Sequence, residues 1–245
     1  MNAIIGTAGW SIPAKDADQF EREGSALERY ASRFAGVEIN SSFHRSHRAA
    51  TWARWAESVP DSFRFSVKMP KTISHQAKLV DCEELTAAFF EEVSGLGRKL
   101  GMILLQLPPK LAFDASAEAY LDHLESIAPA PIACEPRHPS WFEPGPDAVL
   151  ERLRIGRVAA DPAVVTEAGV PGGWKGFSYW RLHGSPAMYR SSYDGARLGA
   201  YAKAIDAEIA QDRPVWCMFD NTASSAAASD ALALRERLGG LSARG

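Results

Sequence analysis

Short apolar segments alternate with longer stretches of helical periodicity along the whole chain. Eight strand-like segments stand at 3–7, 36–40, 64–69, 101–107, 131–137, 156–161, 178–183 and 214–220. Their starts fall roughly 20 to 38 residues apart, the length of a βα unit. Helix-like stretches at 25–34, 49–58, 83–99, 117–127, 147–154, 198–211 and 224–238 lie between or after them. The sixth unit is irregular, because Pro171-Gly172-Gly173 leaves little room for a helix. The pattern predicts one α/β domain over residues 1–245, a (β/α)8 TIM-type barrel with an irregular sixth βα unit. An open doubly wound sheet is the alternative, but Gly6-Thr7-Ala8-Gly9-Trp10 lacks the third glycine of a dinucleotide fingerprint.

Alternation within each segment sorts the side chains onto two faces. Val37, Ile39, Phe65, Val67, Ile103, Leu105, Cys134, Trp180, Leu182, Val215 and Cys217 fall on the face expected under the helices, with Val158 and Ala160 from the sixth segment. The opposite face carries Glu38, Asn40, Lys68, Gln106, Glu135, Arg137, Asp161, Arg181, His183 and Asp220, crowded toward the carboxyl ends. Barrel active sites are built at those ends. As pure scaffold, so many charges are costly, because desolvating each one costs several kcal/mol.

Chemistry is densest at Ile132–Trp141, where Glu135, Arg137, His138 and Trp141 follow one apolar strand. Glu135 is the leading acid/base candidate, with His183, Lys68 and Asp161 as further catalytic candidates. Lys68, Arg137 and Arg181 suit a phosphate, a carboxylate or a developing oxyanion. Asn40, Gln106 and Asn221 would orient hydroxyl or amide groups, and Trp10, Trp141 and Tyr189 would stack on a ring. Scaffold alternatives are ion pairs of Glu38 with Lys68 and of Glu135 with Arg181, and packing for the aromatic residues. No cofactor is expected. A divalent metal on Glu135, Asp161, His183 and Asp220 is the lesser alternative, opposed by two arginines and the lack of paired histidine spacing.

Composition adds few constraints. Hydrophobic residues make up 46% and charged residues 23% of the 245, ordinary for a globular chain. A net charge of −3 offers no general attraction to nucleic acid or anionic membranes. The basic stretch Phe43–Arg48 is too short to favour a nucleic-acid partner. No membrane span is expected, since the apolar runs are far below the necessary length. Three cysteines without C-x-x-C spacing read as buried thiols, and with a first strand at residue 3 the expectation is a cytoplasmic protein without a signal peptide. Nothing in the pattern specifies an oligomeric state.

The chain also resembles the YecE-like family, domain of unknown function 72. The resemblance rests on Gly6-Thr7-Ala8-Gly9-Trp10, Val37–Phe43, Phe65–Pro70 with His75, Gln106-Leu107-Pro108-Pro109, Glu135–Trp141, Asp161-Pro162, Arg181-Leu182-His183-Gly184 and Phe219-Asp220-Asn221. It implies a (β/α)-barrel, no established activity, and a site that also draws on Thr7 and His75. The chain departs from the family pattern at His44, Pro136 and Asp220, where the family has Tyr, another residue and Asn.

The expected function is an enzyme acting on a small polar, anionic, carbohydrate-like substrate by acid/base chemistry. Glu38, Thr7, Trp10, Asn40, His75, Gln106, Arg137, His138, Trp141, Arg181, Asp220 and Asn221 form the binding set. Alternatives are a metal-dependent phosphodiesterase or nucleic-acid binder like endonuclease IV, a metal-dependent sugar isomerase or epimerase, and a non-catalytic ligand-binding module.

Overall fold

A computed structural model describes residues 3–242. Its strands are β1 (Ala3–Thr7), β2 (Gly36–Ile39), β3 (Arg64–Lys68), β4 (Leu100–Gln106), β5 (Ile132–Glu135), β6 (Gly156–Arg157), β7 (Ala159–Asp161), β8 (Gly172–Gly173), β9 (Ser178–Leu182) and β10 (Val215–Phe219). The α-helices are α1 (Ala26–Ala31), α2 (Ala49–Glu57), α3 (Glu83–Val93), α4 (Ala115–Ile127), α5 (Pro144–Arg152), α6 (Gly195–Ile209) and α7 (Ala227–Ser242). Local chemistry sets several of these limits. Ser25 and Glu28 close a capping box on α1. The Asp194 carboxylate accepts the Arg197 N–H and starts α6 earlier than the apolar spacing suggests. The stretch expected as one helix over 83–99 stops at Val93. Residues Ser94–Lys99 continue as 3-10 turns around Gly97, whose φ of 51° no α-helix accommodates.

The strands form parallel α/β sheets, but not the single closed sheet expected. Among the described residues they divide into a four-stranded sheet, β1-β10-β9-β7, and a six-stranded sheet, β2-β3-β4-β5-β6-β8. Only β8 runs antiparallel, against β6. At one border β1 meets β2 through a lone bridge from Ala8 to Glu38, where the Gly9 N–H donates to the Glu38 carbonyl at 2.8 Å. Gly6 and Gly36 line this border because a Cβ on either would run into the neighbouring backbone or side chain. At the other border β6 and β7 are separated by Val158 alone; β6 pairs with β5 and β7 with β9.

A large apolar cluster packs the helices onto the outer sheet faces, with Val37, Phe65, Ile103, Cys134, Leu182 and Cys217 beneath Tyr30, Trp52, Phe90 and Leu121. A smaller cluster, including Met102, Leu104, Ala133, Tyr179, Trp216 and Met218, occupies the inner faces. These inner faces look at one another: the Tyr179 hydroxyl on β9 meets Glu38 on β2 at 2.9 Å and Ser66 on β3 at 2.8 Å. The sixth segment has the opposite phase to the one expected. Val158 belongs to the inner cluster and Ala159 to the helix-facing one. Val158-Ala159-Ala160 is apolar throughout and carries no period-two signal. All three cysteines are buried and free. No helix among the described residues is long and apolar enough to cross a membrane.

Candidate functional site

The centre of the site is Arg181, fully buried near the carboxyl end of β9. Its Nε and Nη2 donate to Glu38 at 2.9 and 2.6 Å, its Nη1 to Glu135 at 2.6 Å, and its Nη2 also to Asp220 at 3.0 Å. One planar guanidinium therefore ties β9 to both sheets, with each donor met by a carboxylate. Glu135 at the end of β5 has both oxygens occupied. Oε1 accepts from Arg137 at 2.8 and 2.6 Å, and Oε2 from Arg181 and from Gln106 at 3.0 Å. Burial alone would raise the Glu135 carboxyl, but Arg181, Arg137 and His183 outweigh it and hold it well below the usual carboxylate range. Asp220 is lowered for the same reason, with Arg181 the main force against burial. His183 bridges the two acids, with Nδ1 3.1 Å from Asp220 and Nε2 3.0 Å from Glu135. Nε2 also lies 3.0 Å from Arg137 Nη2, so a proton there serves Glu135 and a lone pair serves Arg137.

Above this sealed layer stands a rim of different character. Lys68, at the end of β3, is 5% exposed and holds its Nζ 4.1 Å from the centre of the Phe43 ring. It makes no hydrogen bond or ion pair among the described residues; Glu38, the partner expected for it, is taken by Arg181. Burial, then repulsion by Arg181, lowers the Lys68 ammonium to about 8 against the pull of Glu38, Glu135 and Asp220. His75 packs edge-on against the same Phe43 ring, 4.9 Å between centres. Burial lowers it, aided by Lys68 and Arg137. Arg137 uses Nε and Nη2 on Glu135, while Nη1 meets only the Met188 sulfur at 4.0 Å. Asn40 Oδ1, just past the end of β2, is a buried acceptor without a donor among the described residues. A cavity of about 250 Å³ opens beside the rim, bounded by Phe43, His44, Arg45, Lys71 and α3 residues such as Phe89. Phe43 lines this cavity and carries Lys68 on its ring.

The structure thus brings together Glu38, Lys68, Gln106, Glu135, Arg137, Arg181, His183 and Asp220, with His75 at the edge. It separates others. Asp161, expected inside, points the other way and pairs with Arg197 of α6 at 3.1 Å, the consequence of the shifted phase in the sixth segment. The four-residue metal set is therefore not assembled, and no cluster of three or more donors suited to a metal occurs among the described residues. Trp141 is fully buried and donates to the Leu111 carbonyl at 2.8 Å. Thr7 bonds to Tyr30 under α1, and His138 caps the turn Pro139–Phe142 through Ser140. Trp10 packs on Trp55, and the Asn221 amide donates to Asp230 and the Ser191 carbonyl. These five are loop and core anchors, in polar or aromatic types that a strand-end motif does not separate from ligand contacts. Sequence reasoning passed over Phe43, Ser66, Tyr179 and Met188 as site residues. Strand alternation places Ser66 with Lys68 and Tyr179 with Arg181, so those two were within reach; Phe43 and Met188 sit in loops with no such signal.

Comparison with known proteins agrees with this architecture. The UPF0759 protein YecE of Escherichia coli strain K12 is 35% identical over 172 residues, which are 67% of this chain and 61% of that relative. This chain therefore spans less than two thirds of YecE in the matched region. A DUF72 family protein from Enterococcus faecalis V583 superposes with a TM-score of 0.81 at 22% identity, covering 97% of this chain and 95% of that one. Another, from Thermotoga maritima MSB8, gives 0.78 at 22% identity, covering 97% and 99%. At such identities these structures share the fold. The family described as "Protein of unknown function DUF72" matches residues 4–244, so nearly all of the sequence that builds the strands and their charged ends belongs to one family pattern. The chain is a member of the DUF72 family.

Proposed function

We propose that this protein holds a small polar, anionic ligand at the carboxyl ends of its strands, between Lys68 and Arg137, and performs acid–base chemistry on it there. The observation that carries this reading is the state of Lys68: a nine-tenths buried ammonium with no acidic partner among the described residues, beside carboxylates that Arg181 and Arg137 already occupy. A buried charge without a partner costs several kcal/mol, and an apolar residue would pack the same space at less cost. A ligand anion supplies what is missing. Nη1 of Arg137, engaged by the Met188 sulfur at 4.0 Å and by no oxygen among the described residues, offers it a second donor and Asn40 Oδ1 an acceptor for a hydroxyl. In finer terms, the two sheets act as arcs of one (β/α)8 TIM-type barrel, interrupted at Ala8–Glu38 and at Val158. Such a barrel brings the strand ends to a common mouth.

Within this mouth Glu135 is a positioning group rather than the proton carrier expected from its place in the motif. Its oxygens are fully engaged and its charge is strongly favoured. Lys68 is better suited to exchange protons near neutral pH, because burial lowers it to about 8, while His75, lowered by burial, is the neutral imidazole beside it. The three buried thiols suit a reducing cytoplasm.

Thermal unfolding in the presence of carboxylated and phosphorylated sugars, keto acids and their neutral analogues tests the reading. An anion at a hundred times its Kd should stabilise the native protein by about 2.7 kcal/mol, and Arg137→Gln should remove most of that gain. If no anion shifts the transition, or if Arg137→Gln responds like the parent, the proposed mouth is wrong.

A further inference from the structure

Lys68 differs from the other cations of the site in having an amine with nothing to neutralise. Arg181 and Arg137 spend donors on Glu38, Glu135 and Asp220. The Lys68 side chain instead lies on the Phe43 face, while its backbone carbonyl is pinned by the Ser42 hydroxyl at 2.6 Å. The same hydroxyl lies 3.1 Å from the Ile39 carbonyl, so its one proton bridges the ends of β2 and β3 and the amine is presented from a rigid base. His75, on the edge of that ring, has Nδ1 2.9 Å from the Ser74 hydroxyl, and its Nε2 has no hydrogen bond among the described residues. Burial makes the neutral amine accessible near pH 8. A guanidinium cannot take this role, because it does not lose its proton in proteins.

We infer that Lys68 is a Schiff-base lysine, its Nζ condensing with the aldehyde or keto carbon of a small carbonyl acid whose carboxylate is gripped by Arg137. This rests on the anion-binding reading of the same mouth and adds the bond formed there. The Nζ lone pair attacks the carbonyl carbon, and the carbonyl oxygen takes up a proton. The resulting carbinolamine expels that oxygen as water, leaving a carbon–nitrogen double bond. Counted from the ammonium, Lys68 and the carbonyl give a protonated imine and water, with no net proton and no oxidant or reductant. In this scheme His75, which shares the Phe43 ring with Lys68, takes the proton from Nζ and returns it to the departing hydroxyl. Phe43 and Met188 give the ligand's carbon skeleton an apolar wall beside these polar ends.

The test uses the full chain with glyoxylate, and separately pyruvate, in the presence of cyanoborohydride, which reduces an imine to a permanent secondary amine. Peptide mass mapping then locates the modified lysine. Lys68 should be labelled at least about tenfold faster than exposed lysines such as Lys15 and Lys110, because more of its amine is unprotonated at neutral pH. Its rate should rise with pH to a midpoint of about 8. Lys68→Arg, which keeps the charge, should fold with an unchanged circular-dichroism spectrum and take no label at that position. Labelling of Lys68 no faster than of exposed lysines overturns the inference. Anion stabilisation measured in parallel separates the two claims. If acetate or phosphate still stabilises the parent but not Arg137→Gln while Lys68 stays unlabelled, the anion mouth stands and the Schiff base falls. If neither effect occurs, both fall.

Discussion

Lys68 and Glu135 show how neighbouring residues with opposite charge respond to burial in opposite ways. Glu135 keeps its charge because Arg181 and Arg137 hold it; Lys68 weakens its hold on a proton because nothing comparable holds it. The folded-state value for Lys68, about 8, lies below the ordinary 10.5, so between these values the native chain binds fewer protons than the unfolded one. Stability therefore gains from this group as pH rises through that window, and its full cost is present below pH 8. Lys68→Met should make the protein more stable than the parent at pH 7 by about 1–3 kcal/mol, with the advantage fading toward pH 10.5. Urea denaturation across that range measures it. A variant less stable than the parent at pH 7 would mean that Lys68 is a structural cation after all. Both residues were visible in the sequence as polar positions at strand ends. Their different roles were not, because which of them meets Arg181 depends on strands far apart in the chain.

Asp161 illustrates how an element's phase redirects a residue. Counting alternate positions back from an acidic strand end put it inside, yet Val158 is the inward residue and Asp161 reaches Arg197 on α6. Its partner is 40% exposed, so the pair contributes little. Asp161→Asn should change the unfolding free energy by less than about 1 kcal/mol and leave anion binding unaltered. Calorimetry with the same anions used for the parent provides the measurement. A large loss of binding would return Asp161 to the site. Helix limits followed the same logic. Those with a capping side chain, such as Ser25 before α1, are readable from a few residues, whereas the change after Val93 from α-helix to 3-10 turns, with a positive φ at Gly97, is not announced by apolar spacing.

At the scale of the fold, Arg181 acts as a clasp between sheets that, among the described residues, share no complete ladder at either border. Glu38 and Glu135 belong to the six-stranded sheet, and Arg181 itself to the four-stranded one. Arg181→Leu would take their shared guanidinium from three buried carboxylates, leaving Glu38 without a cation, and should cost about 3–5 kcal/mol in urea unfolding at neutral pH, partly regained in acid as those carboxyls are protonated. A loss below about 1 kcal/mol would show that apolar packing alone holds the sheets together. The polar layer therefore has two parts, a sealed clasp below and a rim of Lys68, Arg137 and His75 above.

The repeating strand and helix pattern, the apolar face of most strands, and the family motifs were all local properties, carried by spacings of two to four residues. They were enough to predict parallel α/β architecture and most members of the charged cluster. The division into two sheets, the reversed phase of the sixth segment, the withdrawal of Trp141 and Asp161, and the partnerless state of Lys68 arose only in three dimensions. Each depends on how distant segments compete for the same donors and the same space, and a one-dimensional pattern holds no record of that competition.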